Sequence, residues 1–342
     1  MPNPFDSPRP DFPPRWNRRR LAAAVAVFMS IAGLITSLAP AQENSAYLGR
    51  GMPYAAFDRL KTTQVTVGKS VIDVAFAPGQ LSLTEPQVID LVASSARIIA
   101  GYYGRFPVDH ARLLVVPVEG TTIHGTTYAY RGAAIRFVLG REVTLERATR
   151  DWVLIHEMTH LAFPEVRERH HWIEEGLATY VEPIARVQAG QIPVDNVWRD
   201  MARGLPQGLP KEGDRGLDNT PTWGRIYWGG ALFCLLAEIE IRSRTDNRVG
   251  LQHALRAIRK ASGGMEVTYV LSDALKIGDA AIGQPVLSEL YGRMKDAPMD
   301  VDLDALWRQL GVHIKDRAVT YDDSAPLAAI RRAITAPPTS IE

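Results

Sequence analysis

The sequence predicts an α+β protein, in which a small mixed sheet with one helix precedes a mainly helical lobe. Up to residue 143, short stretches alternate apolar and polar residues, as half-buried strands do. From Thr144 onward, apolar residues recur instead at the three- and four-residue spacing of amphipathic helices. The chain has 342 residues, of which 46% are hydrophobic, so it has enough apolar material to bury a substantial core.

The sheet part of the chain begins with a predicted β-hairpin over residues 62–76. Its turn is expected near Gly68, because apolar and polar residues alternate in places on both sides of that glycine. A helix is predicted next, over 84–103, where Thr84 offers an N-cap before apolar residues at helical spacing. The remaining strand segments are 113–118 and 126–139, the second being one strand or a pair interrupted at Gly132.

The helical part begins at Thr144, whose hydroxyl can cap a helix over 145–163. Pro164 is expected to end this helix, because proline has no backbone N–H and clashes with the preceding turn. A second helix is predicted over 169–182 and is expected to end before Pro183 for the same reason. Further helices are predicted over 194–201, 223–244, 250–261, 285–294 and 303–310.

Residues 1–41 have the features of a secretory signal peptide. Three arginines, Arg18 to Arg20, precede an apolar run over 21–38, and small residues then allow cleavage after Ala41. The alternative is an uncleaved membrane anchor, because an apolar run of about 18 residues can just span a bilayer. Either way, the body is expected to be exported, to the periplasm or the cell exterior, by the general or the twin-arginine route. The predicted segments after it are a lead-in at 42–61, one domain at 62–336 with sheet and helical lobes at 62–143 and 144–336, and a tail at 337–342.

The charge of the chain gives no reason to expect a nucleic-acid partner. The formal net charge is +1, and residues 1–41 hold five of the 39 basic residues and two of the 38 acidic ones. The exported body is therefore close to neutral, whereas nucleic-acid-binding proteins present basic surfaces. A membrane partner is expected only if the N-terminal segment stays uncleaved. The single cysteine, Cys234, excludes an internal disulfide, and its apolar surroundings predict a small buried side chain.

The first candidate site is the sequence His156-Glu157-Met158-Thr159-His160, inside a predicted helix. Histidines four residues apart project from one face of a helix, so both imidazoles can bind the same ion. Glu157 lies about 100° around that helix, beside the ion. Two imidazoles that hold Zn²⁺, with a neighbouring carboxylate that takes a proton from water, are the basic parts of a zinc hydrolase.

The third ligand decides between classes of zinc peptidase. The metzincin spacing requires glycine and histidine at the positions that Phe163 and Val166 occupy, so that class is excluded. The segment from Trp172 to Tyr180 reads W-I-E-E-G-L-A-T-Y and resembles the W-x-x-E-G-x-A-x-Y helix of the gluzincin (MA-clan) zinc peptidases. The resemblance implies a zincin-like catalytic domain that binds one Zn²⁺, with Glu175 as the third ligand. Glu174 is its neighbour, and a one-residue ambiguity remains at this stage.

A second resemblance follows about fifty residues later. The segment Tyr227-Trp228-Gly229-Gly230-Ala231 is similar to the Y-x-K-G-A segment of the aminopeptidase and glycyl-aminopeptidase-like branch, with Gly229 in place of the lysine. It implies that the Tyr227 hydroxyl donates to the oxyanion formed during peptide hydrolysis, while Glu157 acts as general base. No segment resembles G-A-M-E-N, which reads a free substrate N-terminus in that branch, so exopeptidase and endopeptidase activity are both open.

The expected substrate is a peptide or protein, lying beside an edge strand within 126–137. Two other interpretations stay open, a non-catalytic zinc-binding module and a membrane-anchored scaffold with incidental histidines.

The sequence gives weaker support for a role of other polar residues near the site. His170 and His171 could touch substrate or metal but are more typical of a solvated helix start, and Thr179 or Glu182 could accept a hydrogen bond from a ligand histidine.

Overall fold

The structure is a computed structural model that describes residues 44–337. The predicted signal peptide or anchor at 1–41 lies outside the described residues, as does the tail after residue 337. The described residues fall within one compact unit. In the part of the chain that the structure describes, no helix has both the length and the apolar character needed to cross a membrane.

The sheet has five strands, β1 (Thr62–Val67), β2 (Ser70–Phe76), β3 (His110–Val118), β4 (Ile123–Tyr128) and β5 (Ala134–Gly140). They form a mixed sheet in the order β1-β2-β3-β5-β4. The central strands β2, β3 and β5 are parallel, while each edge strand, β1 or β4, runs antiparallel to its neighbour. The segment predicted over 126–139 is therefore a pair of strands, β4 and β5, and β4 lies at the edge of the sheet.

One long helix, α1 (Glu85–Tyr103), links the parallel strands β2 and β3. Its start is the predicted one, because the Thr84 hydroxyl accepts from the Gln87 N–H while the Gln87 side chain accepts from the Thr84 N–H. The helix ends at Gly104, which adopts a left-handed φ of 79° that suits glycine.

The prediction of a single helix over 145–163 is wrong. The structure has two shorter helices, α2 (Leu145–Arg150) and α3 (Val153–His160), because the chain leaves the helical conformation at Asp151. The Asp151 carboxylate accepts a hydrogen bond from the Val153 N–H at 2.9 Å and so caps the start of α3. An aspartate inside an otherwise helical pattern was the signal for this break.

The predicted end of the next helix, before Pro183, is also wrong. Helix α4 (His171–Gln188) contains Pro183 in its interior. Proline removes one hydrogen bond of the helix. Every residue from Gly176 to Val187 is buried, so the packing around α4 compensates for that loss.

The remaining helices build the far side of the helical lobe. The sequence does not predict three elements: the helix Leu271–Ile282, a C-terminal hairpin and the last helix. The elements are α5 (Val194–Gly204), α6 (Gly230–Arg244), α7 (Leu251–Ser262), α8 (Leu271–Ile282), α9 (Val286–Met294), α10 (Leu303–Leu310), β6 (Val312–Lys315), β7 (Ala318–Tyr321) and α11 (Ala328–Thr335).

The sheet has a different cover on each face. The helices pack on one face and form the main core with it. On the other face, the lead-in from Asn44 to Leu60 forms two short 3₁₀ turns and buries Met52 and Tyr54 against Leu114. This arrangement leaves the β4 edge beside α3, the helix that carries the HExxH sequence.

Candidate metal centre

The two histidines of the HExxH sequence lie one turn apart on the same face of α3. Their ring centroids are 5.0 Å apart, and His156 is almost fully buried, with 4% of the residue exposed. The Trp152 ring packs edge-on against His156, with its centroid 5.0 Å away. These contacts hold the His156 imidazole before any ligand arrives, as a binding site that needs little reorganisation would require.

Helix α4 brings Glu175 to this pair of imidazoles. Glu175 Oε2 lies 3.3 Å from His156 Nε2 and 3.6 Å from His160 Nε2. These three residues are the one group of histidine, cysteine and carboxylate side chains within residues 44–337 whose ligand atoms all lie within 4.8 Å of one another.

The distances from the Glu175 carboxylate oxygen to the two imidazole nitrogens fit zinc. Zinc bonds to imidazole nitrogen and carboxylate oxygen are about 2.0–2.2 Å long, so tetrahedral ligand atoms stand roughly 3.3–3.6 Å apart. The separations between Glu175 Oε2 and the two imidazole nitrogens match that range. Two nitrogens and one oxygen are also the donor set of many catalytic zinc sites, which keep a fourth position for water or substrate.

Glu174 does not share in this cluster. Its Oε1 accepts a hydrogen bond from the Val166 N–H at 3.4 Å, and its Oε2 lies 2.9 Å from His171 Nδ1. The side chain therefore faces the loop before α4, and the geometry favours Glu175 over Glu174 as the converging carboxylate.

His171 lies between the two glutamates. Its Nε2 is 3.2 Å from Glu175 Oε1, whereas the contacts with His156 and His160 are made by Oε2. Burial alone would lower the pKa of His171, but hydrogen bonds to Glu174 and Glu175 outweigh it and raise the pKa to about 10. Burial alone would raise the pKa of Glu175, but the His160 charge and hydrogen bonds from His156 and His171 hold it well below the usual range.

Glu157 lies under the edge strand β4. The Thr127 hydroxyl oxygen is 2.6 Å from Glu157 Oε2 and 2.9 Å from the Glu157 backbone oxygen. Gly125, two residues earlier on the same face of β4, lies directly over the Glu157 side chain. The candidate general base is thus held by the strand beside which a substrate was expected to lie.

Tyr227 lies in a π-helical turn, Arg225–Gly229, immediately before α6. Its ring stacks on Trp223, with centroids 5.5 Å apart, and Trp223 is 39% exposed. The turn packs against α4 where Gly230 meets Gly176, the residue after Glu175. Turns of this kind are rare and often occur at functional sites.

His170 and Glu182 bond to residues outside the cluster of His156, His160 and Glu175. His170 is buried, and its Nδ1 lies 2.8 Å from Asp218 Oδ1. Glu182 accepts a hydrogen bond from Arg186 at 2.7 Å. The Thr179 hydroxyl is buried and has no hydrogen-bond partner within residues 44–337, and the same holds for His156 Nδ1.

Sequence reasoning missed the residues that support the site from a distance. Trp172 Nε1 donates to Asp218 Oδ1 at 2.8 Å, and the Tyr291 hydroxyl donates to Asp218 Oδ2 at 2.7 Å, so Asp218 fixes the start of α4. Thr127 bonds to Glu157, and Gly125 leaves space for its side chain. No local sequence pattern indicates these contacts, because each of them joins residues at least thirty positions apart.

No family model matches the chain, and no curated protein matches it either. Solved structures do resemble it. The structure of an aminopeptidase N family protein from Idiomarina loihiensis has a TM-score of 0.51 and 13% sequence identity over 75% of this chain and 50% of that one. An M1 zinc metallopeptidase from Deinococcus radiodurans has a TM-score of 0.46 and 14% identity over 70% of this chain and 52% of that one.

The likeness to the Idiomarina structure shows a shared fold. It confirms the predicted α+β class, with a small mixed sheet followed by a helical lobe. The chain spans about half the length of the solved structures that it resembles.

Proposed function

We propose that the protein is an exported zinc-dependent peptidase, in which His156, His160 and Glu175 hold one Zn²⁺. The observation that carries this proposal is that the Glu175 carboxylate oxygen lies 3.3 and 3.6 Å from the two imidazole nitrogens, as zinc ligands do, with the three ligand atoms all within 4.8 Å of one another. The three side chains come from two different helices, so their meeting is a property of the fold and not of one sequence motif.

Glu157 is the general base in this proposal. Zinc, when bound, lowers the pKa of water and polarises a carbonyl oxygen. Glu157 takes the proton of the attacking water and later passes it to the leaving amine. Its place beside the histidines of α3, with its carboxylate held by Thr127, suits both transfers.

Tyr227 is the proposed donor to the oxyanion of the tetrahedral intermediate. Its support is the π-helical turn in which it lies and the contact of Gly230 with Gly176, which brings that turn next to the helix of Glu175. An oxyanion donor stabilises charge that develops only as the reaction proceeds, so it raises the rate more than it strengthens substrate binding.

The proposed substrate is a peptide or protein lying along the edge strand β4. The Gly140 N–H donates to the Thr122 carbonyl, so Thr122 and every second residue after it on β4 form hydrogen bonds with β5. The backbone N–H and C=O groups of the residues between them, Ile123, Gly125 and Thr127, point away from β5, toward the open edge of the sheet. An extended peptide can pair with that edge by strand addition, directly above Glu157. The proposal covers exopeptidase and endopeptidase activity alike.

Export is proposed from the signal features of residues 1–41. The protein then works in the periplasm or outside the cell, and it is attached to a membrane only if the apolar segment 21–38 is retained. A nucleic-acid partner forms no part of the proposal, because the body is nearly neutral.

A non-catalytic zinc-binding protein is the second candidate function, because the convergence of the three ligand atoms supports it equally well. Glu157 discriminates between the two, since zinc binding alone does not need this carboxylate. We expect Glu157→Gln to keep one zinc per chain and to lose peptide hydrolysis by at least about 100-fold, the contribution of a general base. The measurement is zinc content together with cleavage of a peptide library. Hydrolysis at the wild-type rate would rule out the proposed mechanism.

A further inference from the structure

The face of β4 that looks toward the helices has an unusual composition for a strand that packs on a core. Its side chains in order are Ile123, Gly125 and Thr127. Ile123 is buried in the main core. Gly125 supplies no side chain, and Thr127 supplies a hydroxyl, although both face the buried side of the sheet. This face therefore has a gap and a polar group at the place where Glu157 lies.

Gly125 makes room for the carboxylate. A Cβ at this position would overlap the Glu157 side chain and would stand 2.8 Å from its carboxyl carbon and 3.0 Å from Oε1. Any other residue at 125 would force Glu157 out of its position. Gly125 has no positive φ, so backbone conformation does not explain the glycine, whereas the approach of Glu157 does.

Thr127 supplies a directed hydrogen bond. The hydroxyl has one proton and two acceptors within reach, Glu157 Oε2 at 2.6 Å and the Glu157 carbonyl oxygen at 2.9 Å. An ionised carboxylate oxygen is a stronger acceptor than a carbonyl oxygen, so the proton points to Oε2 while the glutamate is charged. Once Glu157 has taken a proton, the same hydroxyl can turn to the carbonyl oxygen without moving its own oxygen atom.

We propose that Thr127 is a positioning residue for the general base, and that Gly125 and Thr127 together fix the position of the Glu157 side chain for proton transfer. The inference rests on the proposed role of Glu157 and extends it to the edge strand. It also implies that β4, the strand proposed to bind the peptide backbone, positions the general base as well. A substrate that pairs with β4 is then placed in a fixed relation to Glu157.

The test compares Thr127→Val, which removes the hydroxyl and keeps the shape, with Thr127→Ser, which keeps the hydroxyl. We expect Thr127→Val to lower kcat about 10- to 100-fold, the effect of losing a hydrogen bond to a charged group, with KM and zinc content unchanged. Thr127→Ser should restore kcat to within about 3-fold of wild type. Thr66→Val is the matched control, because Thr66 is an exposed threonine on β1, at the opposite edge of the sheet.

Two further measurements keep the inference falsifiable if Thr127→Val is poorly folded. Thr127→Ala should show the same loss of kcat, and crystal structures of the zinc-bound variants should show the Glu157 side chain displaced in Thr127→Ala and Gly125→Ala but not in Thr127→Ser. Wild-type kcat in Thr127→Val or Thr127→Ala, or equal losses in the serine and alanine variants, would overturn the inference. Full activity in Glu157→Gln would instead overturn the proposed function, so the two failures are distinguishable.

Discussion

Gly176 of α4 lies directly against Gly230 at the start of α6. A Cβ on Gly176 would overlap the Gly230 backbone, and a Cβ on Gly230 would stand 2.7 Å from Gly176 Cα and overlap the Trp172 carbonyl oxygen. The two helices therefore touch through their backbones at this point. Because Glu175 precedes Gly176 and Tyr227 is one turn before Gly230, the same contact relates a proposed zinc ligand to the proposed oxyanion donor.

Gly176→Ala should separate α4 from α6. We expect it to lower the free energy of unfolding by about 1–3 kcal/mol, as overpacking in a core does, and to weaken zinc binding, because the helix that carries Glu175 must move. Urea denaturation and zinc titration are the measurements. Gly101→Ala is the matched control, since Gly101 lies in α1 with open space around it, and there alanine should stabilise the helix by up to about 1 kcal/mol. Unchanged stability and zinc affinity in Gly176→Ala would contradict the close contact.

Tyr227→Phe tests the oxyanion donor. Loss of one such donor is expected to lower kcat about 100- to 1,000-fold, with zinc content kept and KM little changed. Steady-state peptide hydrolysis by the zinc-loaded protein measures this effect. Tyr47→Phe, on the opposite face of the sheet, should leave kcat as in wild type. A Tyr227→Phe variant with wild-type kcat would remove the hydroxyl from the mechanism.

His171 should give the zinc-free protein a pH-dependent stability. Its pKa, ordinarily 6.5, is raised to about 10, because its hydrogen bonds to Glu174 and Glu175 outweigh the effect of burial. The stabilisation is complete below pH 6.5, where His171 is protonated in both states. It declines as pH rises from 6.5 toward 10, because the unfolded chain then releases a proton that the folded protein keeps.

His171→Gln should remove that decline. Between pH 6.5 and 10, we expect the free energy of unfolding to fall less in the variant than in wild type, by on the order of 1–2 kcal/mol. This figure is reduced for screening by solvent, because the His171 side chain is 30% exposed. Urea denaturation of chelator-treated protein at several pH values measures the difference. Parallel curves for the two proteins would show that His171 does not carry this charge.

The site was more predictable from the sequence than the packing around it. His156, Glu157 and His160 lie within one helical turn, so their relation follows from helix geometry alone. Glu175 was predicted by resemblance, and the choice between it and Glu174 needed coordinates. A helix rotation of about 100° separates neighbouring residues, and nothing local decides which of two adjacent glutamates faces α3.

Fold predictions failed where tertiary contacts override local preference. Pro183 was expected to end α4, but the buried surroundings of that helix outweigh one lost hydrogen bond. The hairpin of β6 and β7 was missed because its turn residues, Asp316 and Arg317, adopt positive φ without the Asn-Gly or Asp-Gly signal of such turns. The contact of Thr127 with Glu157 joins residues thirty positions apart, which sequence periodicity does not reveal.

The most direct test of the account is the zinc dissociation constant of the purified protein and of its Glu175→Gln variant, measured by competition with a chromophoric chelator. The account predicts one tightly bound zinc per wild-type chain. It predicts more than about 100-fold weaker binding in Glu175→Gln, because loss of a direct ligand should cost more than loss of an outer partner. Wild-type protein without stoichiometric zinc, or a Glu175→Gln variant that binds zinc as tightly as wild type, would contradict it.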